Sequence, residues 1–336
     1  MGETRKTVST EKMRVYFTVD TETSMAGAWN DPTKRPLPLE RSIFGKNDSE
    51  YYGIPLIMDI LEAHGFRGTF FTEMLCSYVL GRSEVQNVVS YIRSREHDVQ
   101  LHLHPVYWYY HCFLQGQPRR EKDLMFELPL DEQEKLIRIG VDLFGQFSGV
   151  APRAYRAGCY GASEVTLDIS RRLGIEVDSS YNLCYLDRSC GFQRRPLNGP
   201  AHLAGIQEFP VTNFRVAFQP GYKPLEIGAV SVGEILTTMN LLKQAGCRDV
   251  VISLHSFSFI KVLTERHCQP DRVAIHRFKK LCAAISQLSG EVDVAVLGEA
   301  NLGDGPLNGS DCVPCLGLVR PAMRKVVQGL NRIPWI

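Results

Sequence analysis

The sequence has no excess of charge of either sign. Its 336 residues include 38 Lys and Arg against 37 Asp and Glu, which gives a formal net charge of +1 at pH 7. Proteins that work mainly by binding nucleic acid or an anionic membrane surface usually carry a clear positive excess. The balanced charge argues against both roles, and we expect no nucleic-acid partner.

The sequence also lacks a long hydrophobic run. Residues 1–10 are polar and contain no apolar segment of a secretory signal, and the apolar runs further along are only as long as strands. We therefore predict no transmembrane segment and a cytoplasmic location. The composition, 44% hydrophobic and 22% charged, is that of a globular protein rather than a disordered chain. Nothing in it indicates an oligomeric state.

A cysteine framework is missing as well. The ten cysteines are scattered without regular spacing, which fits reduced thiols in the cytosol better than a set of disulfides. Cys312 and Cys315 form a CxxC pair without a second pair, so a structural zinc site and an irregular tail are both open there. Residues from 298 onward are rich in Gly, Pro and Asn, and we predict an irregular tail over 298–336 and a flexible segment over 1–12.

Short apolar runs alternate with longer amphipathic segments between these two ends. This alternation predicts an α/β fold built on a mostly parallel sheet or barrel. The candidate strands are 13–19, 68–72, 98–103, 154–157, 175–178, 206–211, 249–254 and 293–297. The candidate helices are 52–64, 84–95, 131–147, 163–173, 232–245 and 271–289. Long loops are predicted at 23–50, 105–130, 180–205 and 212–231, and loops after strand ends commonly build the active site of such a fold.

Two of the candidate strands end in pairs of metal-binding residue types. His102 and His104 are two residues apart, and so are Asp20 and Glu22. Residues i and i+2 of a strand project to the same side, so each pair can face one site. Two imidazoles and a carboxylate are ligands that a divalent metal accepts. The two pairs together indicate a metal-dependent hydrolase.

Three further polar residues lie at the ends of apolar runs. Arg156 is followed by a glycine-containing turn, Asp178 ends the next run, and His255 ends a fully apolar strand. Each alone fits an ordinary structural role: a salt bridge, a turn cap or a core histidine. Their order along one chain, all at carboxyl ends of predicted strands, favours a common catalytic site.

At these positions the sequence resembles the polysaccharide deacetylases of carbohydrate esterase family 4. The resemblance covers about residues 13–297, and it implies one catalytic domain with a distorted (β/α) barrel. It implies that Glu22, His102 and His104 bind the metal. The family spaces its two histidines four apart rather than two, so His111 is kept as an alternative to His104.

The same resemblance implies the catalytic roles. Asp20 takes the place of the base, Arg156 would orient it, and Asp178 would support His255 as the general acid. Thr21 stands where the family has a second Asp, and Gly158 stands where its Arg motif has Pro. Aromatic residues in the segment 107–113 and Tyr181 are candidates for stacking on sugar rings.

The implied function is removal of an N-acetyl group from a sugar of a glycan or glycan precursor, with a divalent ion, Zn²⁺ being the one we expect. Two alternatives stay open. One is hydrolysis of a non-peptide C–N bond in a small molecule, and the other is a catalytically degenerate barrel that binds a glycan. The altered metal motifs keep the last alternative in place, whereas the joint presence of Asp20, Arg156, Asp178 and His255 argues against it.

Overall fold

The computed structural model describes residues 12–31, 33–193, 196–262, 268–303, 310–318, 320–321 and 324. The predicted flexible segment 1–12 lies outside these residues except for its last position, and the predicted tail 298–336 lies partly outside them. In the described part of the chain, no helix is both long enough and apolar enough to cross a bilayer.

The strands are mostly short and follow one another along the whole chain. The first eight are β1 (Met13–Thr21), β2 (Lys46–Asn47), β3 (Glu50–Tyr51), β4 (Thr69–Glu73), β5 (Asp98–Leu103), β6 (Ala154–Ala157), β7 (Val177–Asp178) and β8 (Ala201–Leu203). The remaining ones are β9 (Ile206–Glu208), β10 (Asn213–Val216), β11 (Lys223–Pro224), β12 (Asp249–His255), β13 (Ile260–Val262), β14 (Cys268–Pro270), β15 (Val292–Ala295) and β16 (Cys315–Leu316).

The helices alternate with the strands, as predicted for an α/β protein. They are α1 (Leu39–Ser42), α2 (Ile54–Glu62), α3 (Ser77–Leu80), α4 (Arg82–Ser94), α5 (Pro105–Leu114), α6 (Leu130–Ser148), α7 (Glu164–Arg172), α8 (Val232–Gln244) and α9 (Arg272–Gln287). The long ones turn an apolar face inward; in α4, for example, Val85, Val88, Val89 and Ile92 are buried.

The main sheet is centred on β1. Eight of its nine residues are buried, which is the pattern of a parallel strand with both faces covered. The strand order is β12-β1-β4-β5-β6-β7-β9-β8, and β15 pairs with the first residues of β1 beside β4. All of these ladders are parallel except β8 with β9. The sheet curls into a half barrel.

Irregular segments bridge the gap between β12 and the far end of the sheet. The backbone N–H of Thr212 donates to the carbonyl oxygen of Val251 in β12, and that of Ser253 donates to the carbonyl oxygen of Leu225. The N–H of Val211 in turn donates to the carbonyl oxygen of Tyr181, just after β7. The barrel is therefore distorted, because ordinary strands line only part of its wall.

Part of the predicted loop 105–130 is in fact helical. Residues 105–114 form α5, with Pro105 in its first turn. Proline is well tolerated there because the first N–H groups of a helix have no partner within it. The sequence analysis placed residues 105–130 in a loop and so missed the helix that Pro105 begins.

Candidate active site

The register of the sheet brings the predicted residues to one edge. Asp20 in β1 pairs with His255 in β12, and His102 in β5 pairs with Arg156 in β6. Asp178 in β7 pairs with Tyr155, the neighbour of Arg156. Parallel strands end on the same side of a sheet, so these side chains share the carboxyl edge where sites of such folds are built.

Asp20 and Arg156 form a buried ion pair. Arg156 Nη1 donates to Asp20 Oδ1 at 2.7 Å, and the arginine side chain is fully buried. Its other nitrogens are also engaged, because Nε donates to the Ser179 carbonyl oxygen and Nη2 to the Ser179 hydroxyl. The guanidinium also lies over the ring of Phe71, 4.5 Å from its centre. These contacts fix the carboxylate of Asp20 and balance its charge.

Glu22, His102 and His104 lie beside this pair. Glu22 Oε2 is 3.1 Å from His102 Nε2 and 2.6 Å from His104 Nε2. Burial alone would raise the pKa of Glu22, but the two imidazoles hold the pKa of this carboxyl well below its ordinary value. Glu22 is therefore an anion that faces two ring nitrogens.

The partner of each imidazole on the side away from Glu22 indicates which ring nitrogen carries the proton. His102 Nδ1 lies 2.7 Å from the carbonyl oxygen of Arg156, which can only accept, so Nδ1 carries the proton. His104 Nδ1 lies 2.9 Å from Asp123 Oδ2, which favours a proton on Nδ1 there too. When a cation is bound between the two rings and Glu22, each ring can offer it the lone pair of Nε2, as a metal-binding histidine does.

These three residues fit a divalent metal. One ligand atom from each of Glu22, His102 and His104 lies within 4.8 Å of the other two. Two imidazole nitrogens and one carboxylate oxygen are a donor set that Zn²⁺ and other first-row ions accept, with positions left for water and substrate. His111, the alternative second imidazole, lies elsewhere, between the rings of Tyr78 and Trp108.

Glu73 accepts a hydrogen bond from the backbone of His104 and was not among the predicted site residues. One of its carboxylate oxygens accepts from the backbone N–H of His104 at 2.5 Å, and the other accepts from those of Leu75 and Cys76. Burial raises the pKa of Glu73 to about 8. Glu73 ends an apolar run as Asp20 does, so the same signal was present in the sequence.

His255 lies across the site from the two imidazoles. Its Nε2 is 4.0 Å from Asp20 Oδ2 and 3.9 Å from Glu22 Oε1, and its ring stacks on Phe257. The next residue, Ser256, accepts the backbone N–H of Glu22 and donates to its carbonyl oxygen. The two hydrogen bonds of Ser256 therefore hold His255 close to Glu22.

The predicted support of His255 by Asp178 is wrong. Asp178 accepts from the backbone N–H and the hydroxyl of Ser180 and lies against Glu208, outside ion-pair distance of His255. The carboxylate that faces His255 Nδ1 is Glu226, at 3.9 Å. Glu226 comes from the irregular segment beside β12, whose position only the folded chain defines.

The predicted stacking residues are also placed differently. Tyr181 is fully buried, and Tyr109 and Tyr110 of α5 are at most 6% exposed, so they pack in the core. Tyr107 is 1% exposed and contributes only to a cavity wall. A cavity of about 220 Å³ instead opens beside Glu22 and His104. Its wall includes Met25, Trp29, Tyr107, Asp123 and Phe257.

Cys312 and Cys315 show no sign of a zinc site. Both are free, and Cys315 belongs to β16, which pairs with β10. Among the residues that the structure describes, neither belongs to a group of three or more potential metal ligands.

Comparisons with known proteins place the fold. No family model and no curated protein matches the sequence. A solved structure from Mycobacterium smegmatis, provisionally assigned as a polysaccharide deacetylase, has a TM-score of 0.50 at 17% identity and covers 98% of this chain and 94% of its own. The 4-alpha-glucanotransferase of Thermococcus litoralis has a TM-score of 0.51 at 11% identity, over 86% of this chain and 40% of its own.

A third solved structure, the peptidoglycan N-acetylglucosamine deacetylase Bc1960, has a TM-score of 0.44 at 13% identity and covers 86% of this chain and 88% of its own. Identities this low speak to the fold alone. The resemblance seen in the motifs is confirmed at that level: this chain has the distorted (β/α)-barrel fold of the polysaccharide deacetylases.

Proposed function

We propose that this protein is a metal-dependent hydrolase that removes an N-acetyl group from a sugar of a glycan or glycan precursor. The observation that carries the proposal is the position of Asp20 and His255. One oxygen of Asp20 is held by Arg156, and the other lies 4.0 Å from His255 Nε2, directly beside the Glu22–His102–His104 group. A base, an acid and a metal-ligand set therefore surround one small space.

Asp20 acts as the general base in this proposal. Its Oδ2 atom is free of the Arg156 contact and faces the site, where it accepts a proton from the attacking water. Arg156 holds the carboxylate in place and balances its negative charge through their buried ion pair.

His255 acts as the general acid. Its Nε2 atom lies on the site side of the ring and donates a proton to the leaving amine, while Glu226 faces Nδ1 on the other side of the ring. Glu22, His102 and His104 would hold the cation. When bound, a divalent cation would lower the pKa of water and polarise the amide carbonyl.

The cavity beside Glu22 suits a small, partly apolar group. Its volume of about 220 Å³ is below the roughly 300–1,000 Å³ of pockets for drug-sized ligands. Trp29 and Phe257 in its wall offer ring faces to the apolar side of a sugar or to a methyl group. A single acetylated sugar unit is therefore the part of the substrate that we place there.

Acetate release tests the proposal. The metal-loaded protein should release acetate from at least one member of a panel of N-acetylated glycans and lipid-linked sugars. Chelation should reduce the rate about 100-fold or more, and added Zn²⁺ should restore it. His102→Ala should lose bound metal by elemental analysis while keeping its fold.

Other results would favour the alternatives. Release of amine from small amides, without acetate release from any sugar, would support hydrolysis of a non-peptide C–N bond in a small molecule. No turnover of either class by metal-loaded protein would favour the degenerate glycan-binding barrel. Full activity after complete removal of metal would contradict metal dependence.

A further inference from the structure

His104 has a second group of potential ligands on the side away from Glu22. Its Nδ1 lies 2.9 Å from Asp123 Oδ2, and Cys159 Sγ lies 3.6 Å from the same oxygen. The ligand atoms of these three residues all lie within 4.8 Å of one another. In a tetrahedral zinc site with bonds of about 2.0–2.3 Å, ligand atoms are roughly 3.3–3.8 Å apart, so small shifts would suffice.

The backbone brings the thiol of Cys159 to this place. Cys159 adopts a left-handed conformation, with φ of 54°, directly after Gly158. The His104 ring packs so closely on Gly158 that a Cβ there would lie 2.5 Å from Nδ1. Asp123 is fixed too, because its Oδ1 accepts the backbone N–H of Val106. The three ligand types thus come from separate parts of the chain and meet at Nδ1.

Solvent reaches this group. Cys159 and Cys315 are the exposed cysteines among the residues that the structure describes. A cation can therefore arrive at Cys159 without an opening of the fold, and water can complete its coordination. A thiolate among the ligands selects thiophilic ions such as Zn²⁺ and Cd²⁺ over Mg²⁺ or Mn²⁺.

We propose that His104 Nδ1, Asp123 and Cys159 form a second divalent-cation site, distinct from the Glu22–His102–His104 group, that takes thiophilic ions. Binding there releases the Cys159 thiol proton to solvent. The proton of His104 Nδ1 moves to Nε2, where Glu22 Oε2, at 2.6 Å, accepts the hydrogen bond. A neutral imidazole has a lone pair on only one ring nitrogen, so His104 can bind a cation at only one of the two sites at a time.

The two sites consequently compete for His104. A cation at the Cys159 site removes one of three protein ligands from the Glu22 group, so an excess of thiophilic metal inhibits the hydrolase. This inhibition rests on the proposed function, whereas the existence of the second site does not.

Cobalt binding tests the site without reference to activity. Titration of the full chain with Co²⁺ should produce sulfur-to-cobalt charge-transfer absorption in wild type, in Cys315→Ser and in His102→Ala. Cys159→Ser should lack it. Cys315→Ser is the matched control, because it removes the other exposed thiol. Equal absorption in Cys159→Ser and wild type, or loss of absorption in Cys315→Ser alone, would overturn the site.

Zinc inhibition tests the competition. With the best substrate of the acetate assay, excess Zn²⁺ should inhibit wild type, and Cys159→Ser should need about tenfold more Zn²⁺ for the same inhibition. Identical inhibition curves would refute the competition. If no substrate releases acetate, the proposed function fails, and the cobalt absorption still decides whether the second site exists.

Discussion

The two oxygens of Asp20 have different surroundings. Oδ1 accepts from the buried guanidinium of Arg156, and Oδ2 faces His255 and the space beside Glu22. A carboxylate used in this way can act as a base only while one oxygen stays free of donors. The chemistry at the residue scale therefore depends on Arg156 binding one oxygen and leaving the other.

Asp20→Asn separates the base from its structural role. Asparagine keeps an oxygen that accepts from Arg156 but cannot take a proton from water. We expect kcat to fall about 100-fold to 10,000-fold with metal content unchanged, and a similar fall for His255→Ala. Steady-state acetate release and elemental analysis measure the two quantities.

The chain supplies a matched control for this change. Asp249 forms an ion pair with Arg14 at the opposite end of the same two strands. Asp249→Asn should lower stability, as loss of a partly buried pair does, and leave kcat within about twofold. An Asp20→Asn protein that is folded, metal-loaded and as active as wild type would show that Asp20 is not the base.

The residues that end strands were the part of the site that the sequence predicted. The two-residue intervals of Asp20 with Glu22 and of His102 with His104 fix which side chains share a face, because that follows from strand geometry. Asp123 and Glu226 gave no such signal, since they lie in irregular segments that only tertiary contacts position. Their contributions to His104 and His255 became visible only in the structure.

Two departures from the family pattern meet at one junction between elements. The histidine interval of two places the ring of His104 against the turn after β6, and Gly158 in that turn leaves room for it. The family's Pro at this position would carry a Cβ and ring atoms where His104 now lies. Gly158 and the two-residue histidine interval therefore depend on each other, because the His104 ring fits there only when residue 158 has no side chain.

Gly158→Ala tests this packing. The added Cβ would lie 2.5 Å from His104 Nδ1 and 2.6 Å from Cε1, so the ring has to leave its present position beside Glu22. We expect zinc affinity, measured by competition with a chelator, to fall about tenfold or more, as it does when other supports of a metal-binding histidine are lost.

Gly145→Ala is the control within the same domain. A Cβ at Gly145, inside α6, meets nothing closer than a carbonyl oxygen at 3.9 Å. That change should raise stability by up to about 1 kcal/mol, because alanine is the better helix former, and leave zinc affinity unchanged. Equal zinc affinity in Gly158→Ala and wild type would contradict the role given to the glycine.

Strands were easier to predict than the segments between them. β5 and β6 have the predicted bounds, because β5 ends just before His104 and Pro105 and β6 ends just before Gly158. α5 was missed because almost all of its residues are apolar or aromatic, which leaves no polar face in the sequence and hence no helical period to detect. Its buried tyrosines were consequently misjudged as available for sugar stacking.

At the scale of the whole molecule, the order of the parallel strands could be predicted from the sequence, whereas the way the barrel wall is completed could not. The parallel order of β1, β4, β5, β6 and β7 follows the chain, so alternation of strands and helices predicts it. The bridge from β7 to β12 runs through irregular segments near Thr212 and Leu225, and its hydrogen bonds appear only once the sheet has curled. Glu226 reaches the site through this bridge.

A buried pair of carboxyl groups lies beside the start of this bridge. Asp178 and Glu208 are fully buried on neighbouring strands β7 and β9. Glu208 Oε1 accepts the backbone N–H of Tyr181, while Oε2 finds no donor among the described groups. Burial, followed by the charge of Asp178, raises the pKa of Glu208 well above its ordinary value, so the neutral carboxyl donates a hydrogen bond to Asp178.

This pair makes stability depend on pH. The folded chain keeps the Glu208 proton at pH values where the unfolded chain, with a pKa of about 4.3, has released it. The stability that the proton confers is complete below the unfolded value and declines as pH rises toward the raised folded value. The slope for one such group is about 1.4 kcal/mol per pH unit within that window.

Glu208→Gln should remove this dependence. The glutamine oxygen can accept from Tyr181, and its amide N–H replaces the carboxyl donor to Asp178 without a proton that titrates. Urea unfolding at a series of pH values above about 4.3, the unfolded pKa, should show the wild-type free energy falling more steeply than that of Glu208→Gln, by up to about 1.4 kcal/mol per unit. Glu299→Gln, which changes an exposed carboxylate paired with Arg67, should follow wild type. Parallel curves for Glu208→Gln and wild type would mean that Glu208 does not hold the proton in the folded protein.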